Sequence, residues 1–302
     1  MVTVLRPLSI SELLDRTFHL YRNNFLVFVG IVAMPQLFIL LVMLAGAGMM
    51  ARSDPTTSIF MTLGGYFLYY VVIFLCQAPI IAAVSNLHLE KPVSIGAAYS
   101  SSKGSLPRVT WIVFLIFLSM VGLFAVVGMA IGAVVGLLAA TSGRLVATVV
   151  GFAIALPAVF VAVRWMLNWS LVIPATVLEG GWFRTSIRRS KALAAGNRGR
   201  IFLIYFLMGV LGGIVSFMVQ MLLLMLLPLF GIRDLPKIQA ATQALQAIGI
   251  FVSTCLVGAL GTIALSLVYY DQRVRKEGFD LQLMMATLEP GSQAPQAAAS
   301  AT

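Results

Sequence analysis

Few residue types in this 302-residue chain could carry out chemistry. His19 and His88 are the two histidines, and Cys76 and Cys255, the two cysteines, lie within hydrophobic stretches. A metal site needs several His, Cys or carboxylate ligands, and a catalytic nucleophile needs a base beside it. The spacing of these residues provides neither. The sequence therefore predicts a noncatalytic protein without metal or cofactor, in which the cysteines are apolar packing residues.

A second group of candidates is polar and lies in or beside apolar stretches. Gln77 and Gln220 interrupt such stretches, while Arg164 and Asn168 follow one closely. An ionisable residue inside a membrane is a functional hypothesis by default, whereas an arginine at the end of a span can extend its head group to water. These four residues form a candidate polar site, with Arg164 either intramembrane or interfacial.

Cations are the most numerous candidates, and they could bind anionic lipid headgroups or a protein partner. A Lys or Arg beside an anionic membrane contributes about 1 kcal/mol of attraction. The candidate contact residues are Arg16, Arg22, Arg184, Arg188, Arg189, Lys191, Arg273 and Arg275.

The composition identifies the elements that must position these residues. Hydrophobic residues make up 60% of the chain and charged residues 10%, against about 25% charged in soluble domains. A helix needs about 20 apolar residues to cross a bilayer. The sequence predicts an all-α, polytopic integral membrane protein with six transmembrane helices, near residues 25–50, 59–85, 109–140, 145–163 (continuing to 178), 201–227 and 244–270.

The distribution of charge predicts the orientation. Fifteen of the 20 lysines and arginines fall in the segments before span one, between spans two and three, between spans four and five, and after span six. Cytoplasmic segments of membrane proteins are enriched in these residues. We therefore expect a multi-pass protein of the cell membrane with both termini in the cytoplasm. We interpret the net charge of +10 as a consequence of this membrane topology, and we expect no nucleic-acid partner.

Three of the basic segments predict amphipathic interfacial helices, near residues 9–24, 94–106 and 182–195. In the first, Ser9 and Glu12 have the spacing of a capping box. Aligning Thr17, Ser102 and Ser190 gives intervals of 85 and 88 residues. The pattern indicates three repeats of one interfacial helix plus two spans, within a single domain of residues 1–285. We expect the tail, residues 286–302, to be disordered because it has little to bury.

Small residues and prolines modify the spans. Gly128, Gly132 and Gly136 are spaced to let another helix approach closely, either within the chain or in a homo-oligomer. Pro35, Pro79, Pro157 and Pro174 each remove a backbone hydrogen bond and predict kinks. Such kinks are either structural or part of a substrate path.

Three stretches resemble the membrane domain of the glycerophosphoryl diester phosphodiesterase family, in its standalone bacterial form. They are Leu8–Arg16 with Tyr21–Phe25, Pro174–Glu179 followed by Ser186–Gly196, and Tyr269–Asp280. The resemblance implies a helical membrane protein, and relatives fused to an enzyme imply a role in presenting lipid-derived substrate or anchoring the enzyme. The catalytic domain of that family is a barrel of about 250 residues, for which this chain has no room, so the family activity is not carried over.

Two functions follow as hypotheses. The first is a noncatalytic membrane module that organises lipids or partner proteins at the cytoplasmic face, based on the clustered cations. The second is a transporter or channel for a small or amphiphilic solute, based on the repeat, the kinks and the intramembrane glutamines. A shared cavity lined by Gln77, Gln220 and Arg164 would favour the second hypothesis.

Overall fold

The computed structural model describes residues 8–51, 55–88, 93–141, 143–232 and 234–277. Within these ranges the chain forms helices and no strands. The predicted disordered tail lies outside the described residues. The helices are α1 (Ile10–Asn23), α2 (Phe25–Ala51), α3 (Pro55–Leu75), α4 (Gln77–His88), α5 (Ile95–Ser102), α6 (Leu106–Thr141), α7 (Arg144–Trp169), α8 (Val172–Glu179), α9 (Phe183–Ala194), α10 (Arg198–Leu224), a short 3₁₀ helix (Leu227–Phe230) and α11 (Leu235–Glu277).

Six helical segments within the described residues are long and apolar enough to cross a membrane. They are α2, α3 with α4, α6, α7 with α8, α10 and α11. The prediction of an all-α multi-pass membrane protein with six spans is confirmed.

Two of the four predicted prolines, Pro79 and Pro174, account for the two broken spans, whereas α2 and α7 continue as helices through Pro35 and Pro157. Helix α3 ends at Leu75, four residues before Pro79, and α7 ends at Trp169, five residues before Pro174. A proline ring removes the N–H at its own position and clashes with the carbonyl four residues earlier. The helices therefore stop at the carbonyls that the prolines release.

The structure repeats in the predicted register. Three units follow one another: α1–α4, α5–α8 and α9–α11. The first helix of each begins after an extended N-cap residue, which is Ser9, Ser94 or Trp182. These caps are separated by the same 85 and 88 residues that align Thr17 with its counterparts. Ser9 and Glu12 form the predicted capping box.

Equivalent positions in the three units are also buried. Thr17, Ser102 and Ser190 have no exposed surface. The positions four residues before and eleven residues after them are buried as well; these are Leu13, Ala98, Ser186, Phe28, Val113 and Ile201. The repeat is therefore a repeat of packing as well as of sequence pattern.

Helix α11 forms the centre of the bundle and packs closely on α2 and α10. A Cβ added at Gly258 of α11 would lie 3.8 Å from Val32 of α2, and one at Gly212 of α10 would lie 3.9 Å from Val257 of α11. These glycines bring the helices together, as small residues do in membranes.

The glycine ladder of α6 behaves differently. A Cβ added at Gly128, Gly132 or Gly136 would meet no other part of the described chain within 4 Å, and all three glycines are exposed. Of the two alternatives for this ladder, close packing within the chain is contradicted for the described residues. Gly128 lines an apolar space between α6 and α7 without closing it, and the two helices touch where Val135 lies against Gly151.

Helix α1 lies along α11 instead of lying flat across the end of the bundle. Leu8 contacts Asp271, and the hydroxyl of Tyr21 donates to the carbonyl of Leu256. These two points on α11 are 15 residues, or about 22 Å, apart. The buried stripe of α1, which includes Leu13, therefore packs on protein. The C-terminal end of α1 lies beside the middle of α11, where Tyr21 meets Leu256.

Tyrosine hydroxyls connect the three units in a ring. Tyr21 of the first unit bonds to the third unit at Leu256. Tyr99 of the second unit donates to the carbonyl of Ile31 in the first, over 2.7 Å. Tyr205 of the third donates over 3.4 Å to the carbonyl of Ser170 in the second.

Two of these acceptors are carbonyls released by prolines. Ile31 precedes Pro35 by four residues, and Ser170 precedes Pro174 by four, so neither carbonyl has its usual helical N–H partner. Burial raises the pKa of Tyr21 to about 12, with a further contribution from Cys255. Burial likewise raises the pKa of Tyr99. Both phenols therefore stay protonated and can donate.

Candidate functional site

The last two turns of α11 collect contacts from the N-terminal segment, from α8 and α9, and from the start of α10. We call the charged residues there the α11 junction: Asp271, Arg273, Arg275, Lys276 and Glu277. Two ion pairs join residues four positions apart on α11, Asp271 with Arg275 and Arg273 with Glu277, with N–O distances of 3.0 and 3.3 Å. Each of these residues also bonds to another helix or segment, which the spacing alone did not predict.

Asp271 holds the N-terminal segment. Its carboxylate is fully buried and accepts hydrogen bonds from the Leu8 N–H at 2.8 Å and from Arg275 at 3.0 Å. Arg200 at the start of α10 lies 3.2 Å from the same carboxylate. Both guanidinium groups also donate to the Leu8 carbonyl. Leu8 and Asp271 are therefore held between two cations, and Arg275 has a structural role.

Arg189 holds α9. It donates to Glu179 of α8 at 3.0 Å and to Glu277 at 2.6 Å. Its hydrogen bond with Glu277 is the largest cause of a pKa raised above the usual arginine value, and Glu179 adds to the shift. Arg273 pairs with Glu277, and Tyr269 donates to Glu179. The cluster fixes α8 and α9 against α11.

Lys276 adds a second attachment between α9 and α11. Its ammonium group donates to the carbonyls of Ala192 and Ala195, both over 2.6 Å. One turn away, Asn197 donates to Gln272 over 2.7 Å. Cations near the C-terminus of a helix satisfy its free carbonyls. The C-terminal end of α9 is therefore fixed as firmly as its middle.

The eight predicted cationic contacts divide into three groups. Arg189, Arg273 and Arg275 are committed to ion pairs of the junction. Arg16 is half-buried, and burial lowers its pKa from the usual arginine value. The side chains that remain exposed are those of Arg22, Arg184, Arg188 and Lys191.

Helix α9 presents three of these exposed cations on a fixed scaffold. Its inner face is small and polar: Ser190 donates to the carbonyl of Asn168 over 2.8 Å and accepts from the N–H of Leu171. The side chains of Arg184, Arg188 and Lys191 lie outside this face. No ion pair joins any of the three to an acidic side chain in the described part of the chain.

An open cleft of about 470 Å³ lies between α8 and α9. Its lining residues are Ala175, Glu179, Gly181, Thr185, Ser186, Arg188, Arg189 and Ala192. Arg108 at the start of α6 lies beside it, because its guanidinium donates to the Gly180 carbonyl over 2.8 Å and stacks 5.9 Å from the ring centre of Trp182. The cleft therefore lies within a group of three arginines.

The four residues of the candidate polar site are not brought together. Asn168 accepts from Arg198 at the start of α10, over 3.0 Å. Gln220 lies 22 residues further along α10, about 33 Å away, and donates to the Gln246 carbonyl. Gln77 begins α4, and Arg164 is exposed on α7.

A second cavity, of about 420 Å³ and mostly apolar, lies between α6 and α7. Gln77, Gln220 and Arg164 line neither this cavity nor the α8–α9 cleft. The cavity on which the transporter hypothesis depended is thus not among the cavities described. Arg164 is exposed on α7 and is not buried within the protein.

Sequence reasoning missed Glu179 and Arg200. Glu179 ends an apolar stretch and Arg200 begins one. A charge directly at the end of a span was the available signal, because such a charge must reach water or an opposite charge. The described parts of the three stretches that carry the resemblance meet at the junction: Leu8 bonds to Asp271, Glu179 accepts from Tyr269, and Arg189 pairs with Glu277.

Comparison with protein-family models, with curated proteins and with solved structures finds no match to this chain. The resemblance to the phosphodiesterase membrane domain therefore stays a prediction. Function must be argued from the geometry of the junction, of α9 and of the cleft.

Proposed function

We propose that this protein is a noncatalytic membrane module that gathers anionic lipids at the cytoplasmic face of the cell membrane. The positive-inside rule supports placing the basic end of the bundle, with both chain termini, in the cytoplasm. Anionic lipids are enriched in the cytoplasmic leaflet and attract juxtamembrane cations.

One observation carries the proposal. Helix α9 is fixed to the bundle through Arg189 and Lys276, while Arg184, Arg188 and Lys191 stay exposed and free of ion pairs within the described residues. If ion pairing were the only role of the α9 cations, all of them would be turned toward Glu179 and Glu277. Because α9 is already fixed to the bundle, its backbone loses little entropy on binding, which favours affinity.

Lipid retention tests the proposal. The purified protein is equilibrated in mixed micelles of phosphatidylglycerol and phosphatidylcholine, and the lipids that remain bound are quantified by mass spectrometry. The variant carries Arg184→Gln, Arg188→Gln and Lys191→Gln. Each cation contributes about 1 kcal/mol, or about fivefold in local affinity, so we expect enrichment of phosphatidylglycerol to fall at least fivefold.

The matched control removes three exposed cations elsewhere: Arg144→Gln, Arg164→Gln and Lys237→Gln. It changes the net charge equally, and we expect it to retain the enrichment. Equal losses in the two variants would show that net charge alone attracts the lipid. Unchanged enrichment in the α9 variant would refute the proposal.

A further inference from the structure

We propose that the cleft between α8 and α9 is a binding site for a single phosphate group, with Arg188 as its principal ligand. This inference deepens the proposed function and rests on it, because it assigns one specific site within the basic surface. The α11 junction and the outward face of α9 do not by themselves require such a site.

The first argument is the state of the donors around the cleft. The Thr185 hydroxyl donates to the Trp182 carbonyl over 2.7 Å, and the Ser186 hydroxyl is bonded to Thr176 over 2.9 Å. Arg189 is committed to Glu179 and Glu277. Arg188 is the lining residue that keeps a free guanidinium, with no ion pair to any described acidic residue.

The second argument is charge. Glu179 is the acidic side chain of the lining, and Arg189, Arg273 and Tyr269 all bind it. Its negative charge is therefore balanced before any ligand arrives. Arg188 leaves the cleft positive, and the nearby Arg108 adds to the field. An anion is the ligand that this balance favours.

The third argument is shape and place. A guanidinium presents a planar fork of donors that matches two oxygens of a phosphate. The cleft volume of about 470 Å³ lies within the range of ligand pockets. Because the cleft borders Glu179, the last residue of a span, it lies at the depth where lipid phosphates are found. A lipid headgroup and a soluble phosphate compound share this chemistry.

The experiment measures saturable binding of two probes to the full-length protein in detergent. Inorganic phosphate is titrated by calorimetry, and phosphatidic acid is added in neutral micelles and counted as bound lipid by native mass spectrometry. Binding of phosphatidic acid identifies a lipid source, and binding of inorganic phosphate alone identifies a soluble one. Either result in the unmodified protein supports the site.

Three variants decide whether the site is the cleft. Arg188→Gln removes the proposed ligand, Arg184→Gln makes the same charge change on the same helix outside the cleft, and Ala192→Trp fills the cleft without changing charge. We expect at least tenfold weaker binding for Arg188→Gln and Ala192→Trp, and near-normal binding for Arg184→Gln.

Two outcomes would overturn the inference. One is equal weakening by Arg184→Gln and Arg188→Gln with no effect of Ala192→Trp, which would show attraction by surface charge alone and leave the proposed function intact. The other is the absence of saturable binding of either probe. The lipid-retention experiment tests the proposed function and responds to all three α9 cations. A failure of the proposed function can therefore be told apart from the two outcomes that overturn the cleft site.

Discussion

Helix α11 and the α6–α7 hairpin are all apolar enough to span a membrane, yet they occupy opposite environments. In the most apolar 18 residues of α11, 56% are buried, against 11% in α6 and in α7. The buried part of α11 contains Ser253, Thr254, Thr262 and Ser266, whereas the hairpin exposes side chains such as that of Phe160. Apolarity therefore does not identify the central helix of this bundle.

The physical reason is that lipid solvates apolar side chains as well as a protein core does. Helices in membranes associate through close packing and interhelical hydrogen bonds, so small and polar residues mark the buried faces. Thr254 of α11 illustrates this, because its hydroxyl bonds to Tyr69 of α3 over 3.1 Å. Variants at buried polar, small and phenolic positions can test this contrast.

The largest effect is expected at Asp271. Changing Asp271→Ala leaves Arg200 largely buried and without its carboxylate, and losing one partner of a buried ion pair costs about 3–5 kcal/mol. The free energy of unfolding is measured by SDS titration in mixed micelles, followed by tryptophan fluorescence. The control is Asp234→Ala, whose partner Lys237 is exposed, and we expect no change there. Similar values for the two variants would contradict the central role of the junction.

A smaller effect is expected from a pair of glycines. A Cβ at Gly249 of α11 would lie 2.7 Å from the side chain of Gln220, while one at Gly132 of α6 would meet nothing within 4 Å. Overpacking costs about 1–3 kcal/mol, so Gly249→Leu should lower the unfolding free energy by that amount in the same titration. Gly132→Leu should not lower it. If Gly132→Leu lowers the unfolding free energy of a monodisperse monomer, the α6–α7 hairpin packs more tightly than described.

The smallest effect is expected at Tyr99. Changing Tyr99→Phe leaves the carbonyl of Ile31 without its donor, and a hydrogen bond between membrane helices contributes about 1 kcal/mol. Tyr70→Phe is the control because Tyr70 is 55% exposed. We expect the unfolding free energy to fall for Tyr99→Phe only. If both variants match the unmodified protein, the link between the first and second units adds nothing to stability.

The sequence predicted the number of spans well and their ends less well. Span six was expected at residues 244–270, but α11 runs from Leu235 to Glu277. Hydropathy detects the apolar part of a helix, while the helix itself continues through polar residues that pair with each other. Asp271 and Arg275 are such a pair.

The candidate site was predictable only within single helices. Positions Arg184, Arg188 and Lys191 were identified as surface cations from the pattern of α9, and they are exposed. The same pattern did not separate them from Arg189, which is turned toward Glu179 and Glu277. Its partners are 10 and 88 residues away, and only the docking of α9 on the bundle decides which cation meets them.

The ring of tyrosine bonds has a consequence for how the protein is made. Translation proceeds from the N-terminus, so the first unit enters the membrane before Leu256 and Asp271 exist. The Tyr21 hydroxyl and the Leu8 N–H therefore lack their acceptors, the Leu256 carbonyl and Asp271, until the last helix is synthesised. Tyr99 and Ile31, which both precede α11 in the chain, can form their bond earlier. Insertion of α11 therefore completes the ring, because it supplies the acceptors for Tyr21 and for the Leu8 N–H.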